Sequence, residues 1–245
     1  MILSEVALSL SGRPIVVMGG APSLISDLEK IKSNAFWLSA NHHGHLVRPA
    51  DYLVCSDLTH QVTGKSMADE MAEYGVPTIS PHLWSDIRVN DHPQDFPMNS
   101  GILALWVAAA LGGYPVIAAG FEFFRGKTYH HDPDAKTTGR IDMDRYDAMV
   151  RHLIKAAPGA HFRAISGPLT RHFKRLGTPL PARYQPPRWA RNLADMDPVD
   201  VEWTGTAGAL YRQRPRAGDR IRLSSEEAIN HRRRFRLLSL KPEQC

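Results

Sequence analysis

The chain has 245 residues, 43% of them hydrophobic and 22% charged, which is the composition of a water-soluble globular protein with one substantial core. No apolar run approaches 18 residues, so a membrane-spanning helix is excluded, and the N-terminal "MILSEVALSL" has no basic leader, so a secretory signal is not expected. The net charge of +5 is concentrated between residues 212 and 236, which hold nine Arg against three acids and leave the rest of the chain close to neutral. The two cysteines, Cys55 in a strand-like run and Cys245 at the terminus, make no disulfide framework and fit a reducing, cytoplasmic compartment.

In chain order, 14–18, 35–40, 51–56, 76–80, 115–123 and 161–166 read as short apolar strands. Helix patterns lie between most of them. "SLISDLEKIKS" begins at Ser23, a side-chain cap by type, and puts Leu24, Leu28 and Ile31 on one face. "KSMADEMAEYG" closes at Gly75, a residue suited to ending a helix. "NSGILALWVAAALGG" is apolar all round and predicts a buried helix stopped by two glycines. "DMDRYDAMVRHLIKAAPG" places Tyr146, Met149, Val150 and Leu153 on one stripe, and "GPLTRHFKRLG" predicts a short basic helix.

Strands alternating with helices argue an α/β fold with a doubly wound, mostly parallel sheet, and the uninterrupted apolar strands require both faces of that sheet to be covered. Domain organisation follows from composition. Residues 1–177 form the α/β nucleotide-binding domain. Residues 178–205, rich in proline, form a linker or arm. Residues 206–245 form a small basic module with a β-hairpin around Arg216–Asp219 and a following helix. The arginines of this module suit an anionic polymer such as nucleic acid, a docking partner or second copy of the chain, or a solvated face; docking is the favoured use.

In an open parallel sheet, ligands bind beyond the C-terminal strand ends. The residues there are Gly19, Gly20, Ala21 and Ser23 after the first strand, Asn41 with His42 and His43 after the second, Ser56 and Asp57 after the third, and Ser100 and Gly101 opening the apolar helix. Small residues let a ligand approach main-chain N–H groups, where a phosphate is favoured; a plain tight turn accounts for the first stretch equally. GxGxxG, the phosphate-loop lysine, HExxH, CxxC and GxSxG are all missing, so dinucleotide, P-loop, zinc and serine-hydrolase motifs give no assignment.

"VVMGGAPSL", "SANHHG", "YLVCSD", "MNSGILALWVAAALGGYPVIAAGFEFF" and "KTYHHD" together resemble the bacterial sialyltransferases that use CMP-sialic acid. They are similar too to the wider Rossmann-like set of motility-accessory and pterin-pyrophosphokinase-like proteins, which includes phage-encoded members. The resemblance covers roughly residues 14–175. It implies that Gly19, Gly20, Ala21, Ser23, Asn41, Asp57, Ser100 and Gly101 hold the nucleotide and that transfer needs no metal ion or cofactor beyond the nucleotide-sugar donor. Two tyrosines of that family donate to the leaving phosphate. Phe124 stands at one such place without a hydroxyl, and Tyr129 matches the other. The family's basic histidine has no counterpart near Arg140–Asp142, which leaves His130 or His131 to substitute. The expected function is a metal-independent, glycosyltransferase-like protein. The competing expectation is a catalytically degenerate assembly component, for example of a phage particle, docking through its C-terminal arm.

Overall fold

The computed structural model describes residues 12–32, 34–59, 64–82, 84–89, 99–122, 129 and 143–178. These build strands β1 (Ile15–Met18), β2 (Phe36–Ala40), β3 (Tyr52–Val54), β4 (Thr78–Ser80), β5 (Ile87–Arg88), β6 (Val116–Ala119), β7 (Phe162–Ala164) and β8 (Lys174–Arg175). The helices are α1 (Leu24–Leu28), α2 (Met67–Ala72), α3 (Ser100–Ala110) and α4 (Met143–Ala156), with a 3-10 turn at Pro168–Arg171. They belong to one of the two compact units into which the chain divides, Met1–Pro81 with Ser85–Met196. The arm expected over 178–205, apart from Thr178, and the basic module 206–245 with its hairpin lie outside the described residues.

The strands form one sheet in the order β5-β4-β3-β2-β1-β6-β7-β8, and every adjacent pair is parallel. The chain winds outward from β1 to β5, then returns to the other side of β1 and winds outward again. This is a doubly wound, Rossmann-like α/β sheet, and its order reverses between β1 and β6.

Strand periodicity explains how both faces are filled. Ile15, Val17, Leu38, Ala40, Tyr52, Val54, Val116, Ala118, Phe162 and Ala164 share one buried cluster with α3. Their chain neighbours Val16, Met18, Trp37, Ser39, Leu53, Ile117 and Ala119 point the other way and are buried as well. Helix α3 packs on β1, β2, β3 and β6 and carries α4 on its outer side. That position between two layers is why it is apolar around its whole circumference. Each large side chain it buries contributes roughly 1.5–3 kcal/mol. Asn99 caps it, with Oδ1 accepting the Ile102 N–H at 2.8 Å and Nδ2 donating to the Tyr146 hydroxyl at 2.7 Å, so one side chain starts α3 and fastens α4 to it. The expected stripe of Tyr146, Met149, Val150 and Leu153 is the buried face of α4.

Several elements differ from expectation. The strand expected over 115–123 ends at Ala119, because Gly120 has φ +70° and turns the chain out of the sheet. The helix expected in "GPLTRHFKRLG" is instead the 3-10 turn followed by β8, which pairs with β7 through Lys174 and Arg175. Strand β5 was not expected. Ser23 precedes α1 but makes no side-chain cap. In α1 the residue buried beside Leu24 is Asp27, while Leu28 and Ile31 are only half-buried. Among the described residues no helix is long and apolar enough to cross a membrane.

Asp27 is 1% exposed. Its Oδ2 accepts the Gly120 N–H at 3.0 Å and the Ser166 hydroxyl at 2.8 Å, and its Oδ1 lies 3.6 Å from Lys30 Nζ. Removing this carboxylate strands a buried amide and a half-buried hydroxyl. Asp27→Ala is expected to cost about 3 kcal/mol. Lys30→Ala, which removes an exposed partner, should cost at most about 0.5 kcal/mol. Denaturant midpoints of the two variants check this, and equal losses would refute the assignment.

Candidate functional site

The order reversal places the turn after β1 beside the turn after β6, with the turns after β2 and β3 next in line. The first turn is the most tightly used. Gly19 N–H donates to Ala119 O at 2.8 Å, Ala21 N–H to Gly120 O at 3.1 Å, and Leu24 N–H to Ala21 O at 2.9 Å. Ser23 N–H donates to Glu122 Oε1 at 3.0 Å. A carboxylate of the chain itself therefore sits where a phosphate was expected, and the small residues of this turn mainly permit close packing. A side chain at Gly19 would run into the Gly120 carbonyl, and one at Gly101 would meet the Phe121 ring at 2.8 Å. Ser23 Oγ is buried without a hydrogen-bond partner.

Gly20 lies beneath two rings. A β-carbon there would fall 2.7 Å from Tyr129 Cδ1 and 3.0 Å from His43 Cβ and Cγ. His43 and Tyr129 stack with centroids 3.9 Å apart and planes 15° apart. His42 follows at 4.4 Å from His43, and Tyr74 stacks on His42 at 5.0 Å and 9°. Four rings thus run from α2 to the turn after β1. His42 Nδ1 lies 3.1 Å from Glu70 Oε1 in a largely buried contact that lacks hydrogen-bond geometry and is an ion pair only when the ring is protonated.

The histidines are carried by a turn that is itself held firmly. Asn41 enters it at φ 53°, a left-handed conformation that asparagine tolerates better than most residues. Its N–H donates to Val54 O at 2.8 Å, and its Oδ1 is buried without a hydrogen-bond partner. Gly44 rests against Met18 and the Ser39 hydroxyl. His45 N–H donates to Ser39 Oγ at 3.1 Å, and its Nδ1 accepts the Ala50 N–H at 3.1 Å.

After β3, Ser100 Oγ donates to Asp57 Oδ2 at 3.1 Å and accepts the Ser56 N–H at 3.0 Å. With its proton on Asp57, Ser100 also accepts from the Ser56 hydroxyl at 3.1 Å. The neighbouring Cys55 thiol is pushed up to a value at which no thiolate forms near neutrality, mainly by burial and then by Asp57, which removes it from nucleophilic chemistry.

Tyr129 feels the charges of Asp57 and Glu70. Burial raises its pKa above the ordinary tyrosine value, and the charges of Asp57 and Glu70 raise it further. Its hydroxyl is therefore a donor at neutral pH, within electrostatic reach of the acid after β3 and the acid on α2. Tyr146 is raised too, by burial, against the opposing hydrogen bond from Asn99.

Of the expected site residues, Gly20 and Tyr129 come together at His43, and Asp57 and Ser100 come together at Ser56. Gly19 and Gly101 are accounted for by packing. Phe124, His130 and His131 lie outside the described residues. The sequence reading missed Glu70, Tyr74 and Asp27. Glu70 and Tyr74 stand four apart on α2 and its C-terminal turn, a spacing that puts both on one face, and both touch His42. Among the described residues no three His, Cys or carboxylate side chains gather to hold a metal ion.

Gly20→Ala should force the His43–Tyr129 stack apart and cost about 1–3 kcal/mol, read as a lower denaturant midpoint with a changed near-ultraviolet circular dichroism spectrum. Tyr52, Tyr74, Tyr129 and Tyr146 all hold their protons to higher pH than ordinary tyrosines. The stability they contribute is complete below the unfolded tyrosine value of about 10 and is lost as pH rises through it toward the folded values. Midpoints measured between pH 9 and 11.5 should fall, and less steeply in Tyr129→Phe. A flat profile would refute the burial of these hydroxyls.

Comparison of the chain with protein-family models, with curated proteins and with solved structures gives no match.

Proposed function

We propose that this edge of the sheet binds a nucleotide-sugar of the CMP-sugar type and transfers its sugar to an acceptor hydroxyl without a metal ion. The observation that supports the reading is the meeting of loops distant in sequence at the Tyr129 ring, which stacks on His43 and lies over Gly20. A tyrosine that keeps its proton can donate to a departing phosphate oxygen as negative charge develops there. Asp57, Ser56, Ser100 and the unpartnered Asn41 Oδ1 supply the acceptors and donors that ribose or sugar hydroxyls need. The amides of the first turn are not assigned a phosphate, since Glu122 already takes Ser23 N–H.

A second reading is favoured by a specific observation. Glu122 on the Ser23 amide and the Tyr129 ring over Gly20 fill space that a nucleotide phosphate was expected to use. A chain that kept the fold as an assembly component would look the same there, and Phe124, in place of a second tyrosine, agrees with it.

Thermal unfolding in millimolar CMP, UMP, CMP-sialic acid and UDP-sugars separates the two. Ligand at 100 times its dissociation constant adds about 2.7 kcal/mol to the folded state. For a chain of this size that is a rise of roughly 5–10 °C. Tyr129→Phe should keep that rise and lose turnover. No shift with any of the nucleotides would overturn the enzymatic reading and leave the assembly one.

A further inference from the structure

The described residues divide by charge along the sheet. Those between 12 and 122, which build β1 to β6 and α1 to α3, carry six Lys or Arg against nine acids. Those between 143 and 178, which build α4, β7, the 3-10 turn and β8, carry seven against two. In the sequence no Asp or Glu occurs from 148 to 194, a stretch that holds nine Lys or Arg. The strand order puts β8 at one end of the sheet, so the excess of positive charge lies along one edge.

The exposed cations of this edge are brought together by one contact. Asp147, Arg151 and Lys155 are spaced four apart on α4 and form a single row. The first of them lies 2.7 Å from His172 Nε2 through its Oδ1, so the row borders the segment that runs from the 3-10 turn into β8. That segment contributes Arg171, Lys174 and Arg175, and all five cations are exposed. Lys174 and Arg175 alternate across the edge strand, so the array wraps the edge. Asp147 is engaged by His172, and that hydrogen bond, followed by the charges of His172, Arg151 and Arg171, holds its carboxyl below the ordinary value. Asp144 stands in the first turn of α4, at the opposite end from Lys155 in the last.

We infer that this edge binds the phosphate backbone of a nucleic acid without reading its sequence. Arginine forks and a lysine suit phosphate oxygens, and a backbone running past the edge meets several of them in succession. A protein partner of acidic character is the less fitting occupant, because protein interfaces have an apolar centre. Among the described residues of this edge the large apolar side chain left exposed is Ile154, at 40%. The inference stands apart from the nucleotide-sugar reading, whose residues belong to other turns of the sheet.

The full chain is titrated with a fluorescein-labelled DNA duplex of about 25 base pairs at several salt concentrations, and with labelled poly-glutamate under the same conditions. Wild type should bind the DNA, with the logarithm of affinity falling linearly in the logarithm of salt by about 0.9 per phosphate contacted. R151Q/K155Q on α4 and K174Q/R175Q on β8 should each weaken binding at least about fivefold near 0.1 M salt and flatten the slope by about 1 to 2. K32Q, an exposed lysine of the other half, should bind as wild type does. The same losses should appear when the edge substitutions are made in an R232Q/R233Q/R234Q background, which removes part of the separate arginine run near the C-terminus. Circular dichroism checks folding, and R151Q/K155Q carries the test if K174Q/R175Q does not fold. Absence of DNA binding by wild type, affinity and slope unchanged in the edge variants, or poly-glutamate bound as tightly as DNA each overturns the inference.

Discussion

A single buried carboxylate holds the functional edge of this molecule in place. Asp27 accepts from the Gly120 amide after β6 and from the Ser166 hydroxyl after β7 while belonging to α1, which follows β1. Three chain segments that leave neighbouring strands are thus tied to one side chain. Oδ2 of this deeply buried carboxylate takes both hydrogen bonds, while Oδ1 has no hydrogen-bond partner and faces only Lys30 Nζ at 3.6 Å, so the cost of losing the two donors' partner is large. The point where the strand order reverses is normally open to ligand. Here it is drawn shut by the chain's own groups, with Gly19 against the Gly120 carbonyl and Ser23 N–H on Glu122.

That closure decides what chemistry the neighbouring space supports. Ser23 N–H, just before α1, is taken by the Glu122 carboxylate, and Ser100, in the first turn of α3, donates its hydroxyl proton to Asp57. Beside them lie the rings of His42, His43 and Tyr129 and the buried Asn41 oxygen. The same surroundings explain why the acids raise Tyr129: each carboxylate engaged nearby disfavours a second negative charge on the phenol.

How much of this could be read from the sequence depended on how local each cause was. The strands β1, β2, β3, β4, β6 and β7 were readable because a strand buried on both faces is an apolar run, and such a run needs no knowledge of its neighbours. Helix α3 was readable for the same reason, and Gly112-Gly113 marked its end. Strands β5 and β8 are two residues each and carry no pattern of their own; Lys174 and Arg175 look like surface charges until β7 is placed beside them. Ser23 has the right residue type to cap α1, but Glu122, 99 residues away, does the capping. At the candidate site, the rule that ligands bind at parallel strand ends picked out turns that the sheet order does bring side by side. It could not separate glycines that make room for a ligand from those, such as Gly19 and Gly101, that make room for the Gly120 carbonyl and the Phe121 ring. Nor could any local pattern pair His43 with Tyr129, 86 residues apart.

The histidine-bearing turn shows how a loop can hold chemical groups in place. A base or donor must stay within a fraction of an ångström of its productive position, and an unsupported loop does not do that. Residues 41–50 are fixed at four separate points: Asn41 N–H on Val54, Gly44 against Met18, His45 N–H on Ser39, and His45 Nδ1 under the Ala50 amide. Three of these use strand residues, so the turn inherits the rigidity of the sheet. The two rings it projects are then clamped from outside, His42 by Tyr74 and His43 by Tyr129. Gly20 completes the arrangement from below, since any side chain there would occupy the position of the Tyr129 ring. The bare backbone that stands out in the sequence therefore has a definite physical reason. It makes room for the aromatic stack, which takes the place that a side chain at Gly20 would fill.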